Sequence, residues 1–298
     1  MIANTNDGSS RPPRLQIDIN ADNVFGLPPH STVPRGDPRA VLEAVKSAGF
    51  EGIQSNSRAA IARQLGLGVT GSGRIDSPEQ AELQAAQAAE IGFDCYTVHV
   101  GTGLEDDDQA CRLVQAVLRA SERHRIPIYI ETHRATITQD IWRTVQLVKR
   151  FPEIRFNGDF SHYYTGHELV YGDIEAKWQF MQPIFDRVRF IHARIGSPGC
   201  IQVDIGRDGA GQSCVEHFRQ MWTRSFVGFL RDARPGDYLC FTPELLGPKI
   251  FYARTFRNQN GEMVEEGDRW QQALLYARIA AECWDQANRH TAPNTGMS

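Results

Sequence analysis

No apolar run in this chain approaches the roughly 20 residues that a membrane-spanning helix needs, and residues 1–13 are polar, without the apolar centre of a secretory signal. No membrane association is expected, and the reading places the protein in the cytoplasm. Positive charge is scarce as well: 32 Lys and Arg against 36 Asp and Glu leave a net charge of -4. Such a chain offers no broad positive field to a phosphate backbone, so nucleic acid is not expected as a partner. The six cysteines stand far apart, with no C-x-x-C pair among them, which predicts buried free thiols and no disulfide framework. Missing too is a G-x-G-x-x-G after the first strand-like segment, the mark of a dinucleotide-binding open sheet. What remains is a chain of 298 residues, 41% hydrophobic and 23% charged, enough for one barrel-sized globular domain with a buried core.

Within it, two periodicities alternate from end to end. Short apolar, strand-like segments lie at residues 15–19, 52–55, 67–70, 95–99, 126–130, 154–158, 188–191 and 238–243. Helix-like segments follow them at 37–48, 58–65, 77–91, 106–124, 138–150, 173–185, 213–230 and 268–288. Start signals support the helices: Asp37 before Pro38, and Ser77 before Pro78, place a capping side chain ahead of a proline in the first turn. Between them lie a Gly/Ser loop at 71–73, an aromatic loop at 160–171, a Gly-rich loop at 196–211 and a last loop holding Arg254, Arg257 and Asn258. This rhythm predicts an α/β fold, a single-domain (β/α)8 TIM barrel spanning residues 14–288, with a flexible leader at 1–13 and a flexible tail at 289–298. An open doubly wound sheet is the alternative.

Four side chains stand where successive strands end: Glu131, Asp159, His192 and Glu244. In a barrel those ends share one face, which is where catalytic groups gather. Three carboxylates and an imidazole crowded there would repel one another without a cation, so a divalent metal ion is expected. Oxygen-rich ligation with one imidazole favours Mn2+, and Mg2+, Co2+ and Zn2+ are also compatible. A single carboxylate after a strand is more often a helix cap; four on consecutive strands call for a different explanation. His133 and Arg134 follow Glu131, and alternation lets only one of them face the pocket if the strand continues; His133 is favoured. Arg194, two residues beyond His192, points the same way and is a candidate to bind a substrate oxygen, or else to pair with a neighbouring ligand.

The chain resembles the xylose isomerase-like TIM barrel superfamily, which includes ketose 3-epimerases, hydroxypyruvate isomerases, inosose dehydratases and zinc AP endonucleases. The resemblance covers about residues 14–288, with its best local match in Asp159-Phe-Ser-His162. It implies that Glu131, Asp159, His192 and Glu244 are metal ligands, that Glu131 and Glu244 also act as paired acid and base, and that His162 lies beside the substrate as a further catalytic residue. His99, in Val-His-Val-Gly at the end of the fourth strand, corresponds to a pocket histidine. The three-metal endonucleases carry extra histidines on the third strand and in the loop after the seventh, and neither is present here. The ketose epimerases have an arginine several residues past the strand-seven histidine, where this chain has Pro198 and Gly199. The expectation is therefore a one-metal sugar isomerase or epimerase that removes a proton next to a metal-bound carbonyl. A lyase or dehydratase of a keto-inositol or keto-glycoside is the nearest alternative, followed by an AP endonuclease and by a sugar-binding barrel without turnover. The partners expected are a small sugar-derived substrate and further copies of the chain in a homo-oligomer.

Overall fold

The computed structural model describes residues 2–291. A two-residue strand, β1 (Thr5–Asn6), precedes eight parallel strands: β2 (Arg14–Asn20), β3 (Gly52–Gln54), β4 (Gly68–Ile75), β5 (Tyr96–Val100), β6 (Ile128–Glu131), β7 (Phe156–Asn157), β8 (Val188–Ala193) and β9 (Asp237–Pro243). They pair in chain order and β9 returns to β2, which closes the barrel. Helices α1 (Pro38–Ser47), α2 (Ala59–Gln64), α3 (Pro78–Ile91), α4 (Asp107–His124), α5 (Ile141–Arg150), α6 (Ser161–Gly166), α7 (Ile174–Phe185), α8 (Ser213–Asp232) and α9 (Arg269–Thr291) surround it. The molecule is a single-domain (β/α)8 barrel.

The eight strand-like runs become strands because each can bury both faces. Outward-facing Ile19, Ile53, Val69, Val98, Ile130, Ile191 and Phe241 pack under apolar helix stripes such as Val41, Leu42 and Val45 of α1 and Ala81, Ala85 and Ala88 of α3. Inside the barrel, toward its N-terminal end, Cys95, Tyr129, Phe190, Tyr238 and Cys240 form a second apolar cluster. Both expected caps are present: Asp37 accepts from the Ala40 N–H, and Ser77 and Gln80 close a capping box with Pro78 in the first turn.

Several expectations are corrected. Part of the expected leader is packed onto the barrel: β1 pairs antiparallel with β9, Ile2 joins the inner apolar cluster, and the Thr5 N–H donates to the Tyr129 hydroxyl at 2.9 Å. Polarity suggested a free segment, yet its residues satisfy groups on the barrel floor. Strand β4 runs straight through the expected Gly/Ser loop. Its glycines are packing requirements, since a Cβ at Gly71 would strike the Phe93 ring and one at Gly73 the Tyr96 hydroxyl. The aromatic loop contains α6, and the last loop contains an antiparallel hairpin of β10 (Thr255–Arg257) and β11 (Met263–Glu265). Helix α5 starts later than expected, capped by Asp140. Helix α9 continues through Thr291, so residues 289–291 are helical; the rest of the expected tail lies outside the described residues.

Candidate functional site

All four strand-end residues meet at the C-terminal mouth of the barrel. Glu131 is the last residue of β6, His192 lies near the end of β8, Glu244 follows β9 by one residue and Asp159 follows β7 by two. The ladder continues past β9, where the Glu244 N–H bonds the Ala193 carbonyl at 3.1 Å. Between β7 and β8 the register slips at Phe156 and Asn157, a bulge of the kind that re-aims the residues after it. Ligand atoms of Glu131, Asp159, His192 and Glu244 all lie within 4.8 Å of one another.

The orientation of His192 is set by amides. Its Nε2 faces Gln54 Oε1 at 2.8 Å, and the same oxygen accepts from Asn20 Nδ2 at 2.9 Å, while Gln54 Nε2 donates to Thr97 Oγ1 at 3.0 Å. An oxygen that only accepts requires the proton on Nε2, which turns Nδ1 toward Glu131 Oε2 at 3.1 Å and Glu244 Oε2 at 3.4 Å. Asn157 completes the frame: its Oδ1 accepts from the His192 N–H at 2.9 Å and its Nδ2 donates to Glu131 Oε2 at 3.0 Å.

Charge in the cluster is partly balanced from within. Arg194, 1% exposed, donates to Asp159 Oδ2 at 2.7 Å and also reaches Glu244 Oε2. It is therefore paired with two of the acidic residues instead of standing free, one of the two placements its position allowed. Burial pushes the Asp159 carboxyl up, but Arg194 and His162 outweigh it and hold the group well below its usual range. Burial likewise opposes ionisation of Glu131, where the imidazoles of His99 and His192 win and hold it well below. Glu244 ends above its usual value, because burial exceeds the pull of His192 and Arg194. For His192, burial is outweighed by Glu244 and Glu131, and its pKa is pushed up to about 9. Three carboxylates less one guanidinium leave two negative charges. In the protein alone the raised pKa of His192 offsets part of this charge; a single divalent cation would balance both charges, and the buried oxygen donors with one correctly turned nitrogen fit such an ion.

The remaining expected residues gather around this cluster. His99 Nε2 stands 3.2 Å from Glu131 Oε1, and His162 Nε2 stands 3.4 Å from Asp159 Oδ2. The rings of His99, His133 and His162 lie against one another in sequence, tilted by 38° and 45°, at centroid distances of 4.0 and 3.8 Å. His133 therefore does face the mouth. Arg134 reaches the same region because the strand stops at Glu131, so alternation no longer separates the two. Burial and its neighbour His162 push His133 down to about 3, and burial also lowers His162. Not anticipated from sequence were the amides Asn20, Gln54 and Asn157, Ser161, whose hydroxyl donates to Asp159 Oδ1 at 2.6 Å, and Tyr252, whose ring lies 4.4 Å from the Arg194 guanidinium. Asn157 alone carried a usable signal, sitting two residues before Asp159 on the inward face. His167 and His217 lie apart; His217 bonds the Tyr164 hydroxyl at 2.8 Å.

No protein-family model and no curated protein matches the sequence. Solved structures do. A xylose isomerase-like TIM barrel protein from Mycobacterium smegmatis, in complex with magnesium, aligns over 92% of this chain and 97% of its own with 13% identity and a TM-score of 0.55. A D-tagatose 3-epimerase-like protein aligns over 93% and 100% with 11% identity and a TM-score of 0.55. A probable 3-DHS dehydratase from Bacillus anthracis aligns over 79% and 94% with 14% identity and a TM-score of 0.50. At these identities the likeness is one of fold: the chain has the architecture of xylose isomerase-like barrels.

Proposed function

We propose that this protein is a divalent-metal-dependent isomerase or epimerase of a ketose or keto-sugar derivative. The observation that carries the reading is the convergence of Glu131, Asp159, His192 and Glu244 within 4.8 Å at the barrel mouth. These four residues would hold the ion, Mn2+ by preference. When bound, the ion supplies a positive charge beside the substrate carbonyl, which acidifies the neighbouring C–H. The chain's own groups handle the proton. Glu131 and Glu244 approach His192 Nδ1 from separate strands, and one removes the proton from the carbon next to the carbonyl while the other returns it on the opposite face. His162, whose buried Nδ1 has no hydrogen-bond partner among the described residues, offers a hydrogen bond to a substrate oxygen, and His99 and His133 line the approach. Arg194 keeps Asp159 ionised and holds both Asp159 and Glu244 in place.

Names of fold neighbours support this class of chemistry, among them an epimerase-like protein and a sugar phosphate isomerase/epimerase. One is named a dehydratase, which favours a second reading with the same proton removal followed by loss of a group from the next carbon. The protein loaded with Mn2+ and incubated in D2O with a panel of ketoses and keto-sugars should place deuterium at the carbon beside the carbonyl. Mass otherwise unchanged identifies epimerisation; loss of water or of an aglycone identifies elimination. Glu244→Gln should lower exchange by about 100-fold or more. Undiminished exchange and ion content in that variant would overturn the proposal.

A further inference from the structure

We propose that the substrate carries a negatively charged oxyanion, a carboxylate or a phosphate, and that Arg134 binds it. This deepens the reading above and rests on it. Once a divalent ion, Arg194 and the three carboxylates have balanced one another, the groups left around the mouth are hydrogen-bond donors and a cation: His99, His133, His162, Tyr252 and Arg134. A neutral sugar would leave that surplus unanswered.

Arg35, Arg58 and Arg257 have no carboxylate partner among the described residues, and Arg134 is set apart from them by lying beside His133 and Tyr252, whereas four other arginines near this end of the barrel are tied to acids. Arg74 pairs with Asp76, Arg143 with Asp107, Arg254 with Glu266 and Arg269 with Glu265. Among the described residues no carboxylate pairs with Arg134. Its guanidinium lies instead 5.3 Å from the centre of the Tyr252 ring, whose hydroxyl is 3.3 Å from His133 Nε2. A guanidinium resting on an aromatic face keeps its N–H edge free, the geometry that takes an oxyanion through two parallel hydrogen bonds.

The backbone beneath it is held in place. Ala135 has φ of 53°, a left-handed conformation that costs a residue with a Cβ roughly 1 kcal/mol. Hydroxyls fasten the loop on both sides: Thr132 Oγ1 donates to the Asp159 carbonyl at 3.0 Å, Thr136 Oγ1 to the His133 carbonyl and Thr138 Oγ1 to the Glu131 carbonyl, both at 2.6 Å. The segment that places Glu131 thus also places Arg134, three residues on, at a fixed offset from the ion's ligands. The substrate class that fits is a keto-sugar acid or a keto-sugar phosphate.

Binding of three compounds with one carbon skeleton tests this directly: D-glucitol, D-gluconate and D-glucitol 6-phosphate, titrated into the Mn2+-loaded protein by calorimetry. At least one of the two anions should bind about tenfold or more tightly than D-glucitol, with an advantage that shrinks as salt is raised. Which anion wins identifies the oxyanion. Arg134→Gln should bring the preferred anion to within about threefold of D-glucitol, and Arg134→Lys should restore part of the difference by supplying charge without the planar fork. No advantage for either anion in the unaltered protein, or an advantage that survives in Arg134→Gln, overturns the inference. Deuterium exchange separates this from the wider reading: exchange into neutral ketoses without oxyanion preference sinks the Arg134 assignment alone, while no exchange into any ketose sinks the function proposed above.

Discussion

At the scale of single residues, the proposed ligand set depends on side chains outside it. Gln54 is the clearest case, because its Oε1 dictates which nitrogen of His192 is left to face the carboxylates. Groups of this kind behind metal-binding imidazoles are worth about 10 to 100-fold in affinity. Gln54→Leu, which keeps the volume and removes the acceptor, should weaken Mn2+ binding by that factor in a calorimetric titration while leaving the fold intact by circular dichroism. The charged residues of the site were legible in the sequence because a carboxylate or imidazole at the end of an apolar run is conspicuous. Asn20, Gln54 and Tyr252 were not: an amide or a tyrosine at a strand end or in a loop is unremarkable until its partners are known.

Among the elements, the N-terminal segment departs furthest from expectation. Residues 2–6 close the barrel floor, with Ile2 buried in the inner apolar cluster and Thr5 bonded to Tyr129 through both its N–H and its hydroxyl. Ile2→Ala should cost about 2 kcal/mol in urea denaturation, a figure out of reach for a residue in a free leader. Unchanged stability would mean that the segment does not plug the floor. Polar composition concealed this strand, since two residues of pairing carry no periodicity. The same limit hid α6, whose buried Tyr163 and Tyr164 read equally well as loop packing, and the β10–β11 hairpin, which is exposed and too short to alternate. Gly71 and Gly73 misled in the opposite sense, because the ring and hydroxyl that exclude a Cβ there belong to residues more than 20 positions away.

For the molecule as a whole, the barrel interior is polar along much of its length, with Gln16, Asp18, Gln54, Thr97, Asn157 and Thr242 all buried. Asp18 is fully buried and its Oδ2 has no hydrogen-bond partner among the described residues. Burial, only partly countered by hydrogen bonds from Gln16 and Cys240, pushes its carboxyl from 3.8 up to about 7. The folded protein therefore holds this proton more tightly than the unfolded chain does. Its stabilising effect is complete below pH 3.8 and is lost as the pH rises through the folded value near 7, a fall on the order of 4 kcal/mol. Asp18→Asn, which cannot ionise, should be more stable than the unaltered protein at pH 8 and similar to it near pH 4, as read from denaturation midpoints at both values. Equal stability at pH 8 would show that Asp18 does not ionise at the expense of the fold.

Local chemistry dictated the eight strands, the helices between them and the four strand-end side chains, because alternating apolar periods, capping residues and prolines act over a few positions and leave their mark in the order of amino acids. Closure of β9 onto β2 then turned strand ends far apart in the chain into one pocket. The pairing of Arg194 with Asp159 and Glu244, the amide frame around His192, the row of three imidazoles and the seat of Arg134 on Tyr252 all arose at that step. Each is a contact between residues of different strands or strand-end loops, and no segment carries it alone, since its energy depends on distances that exist only after the chain has closed on itself.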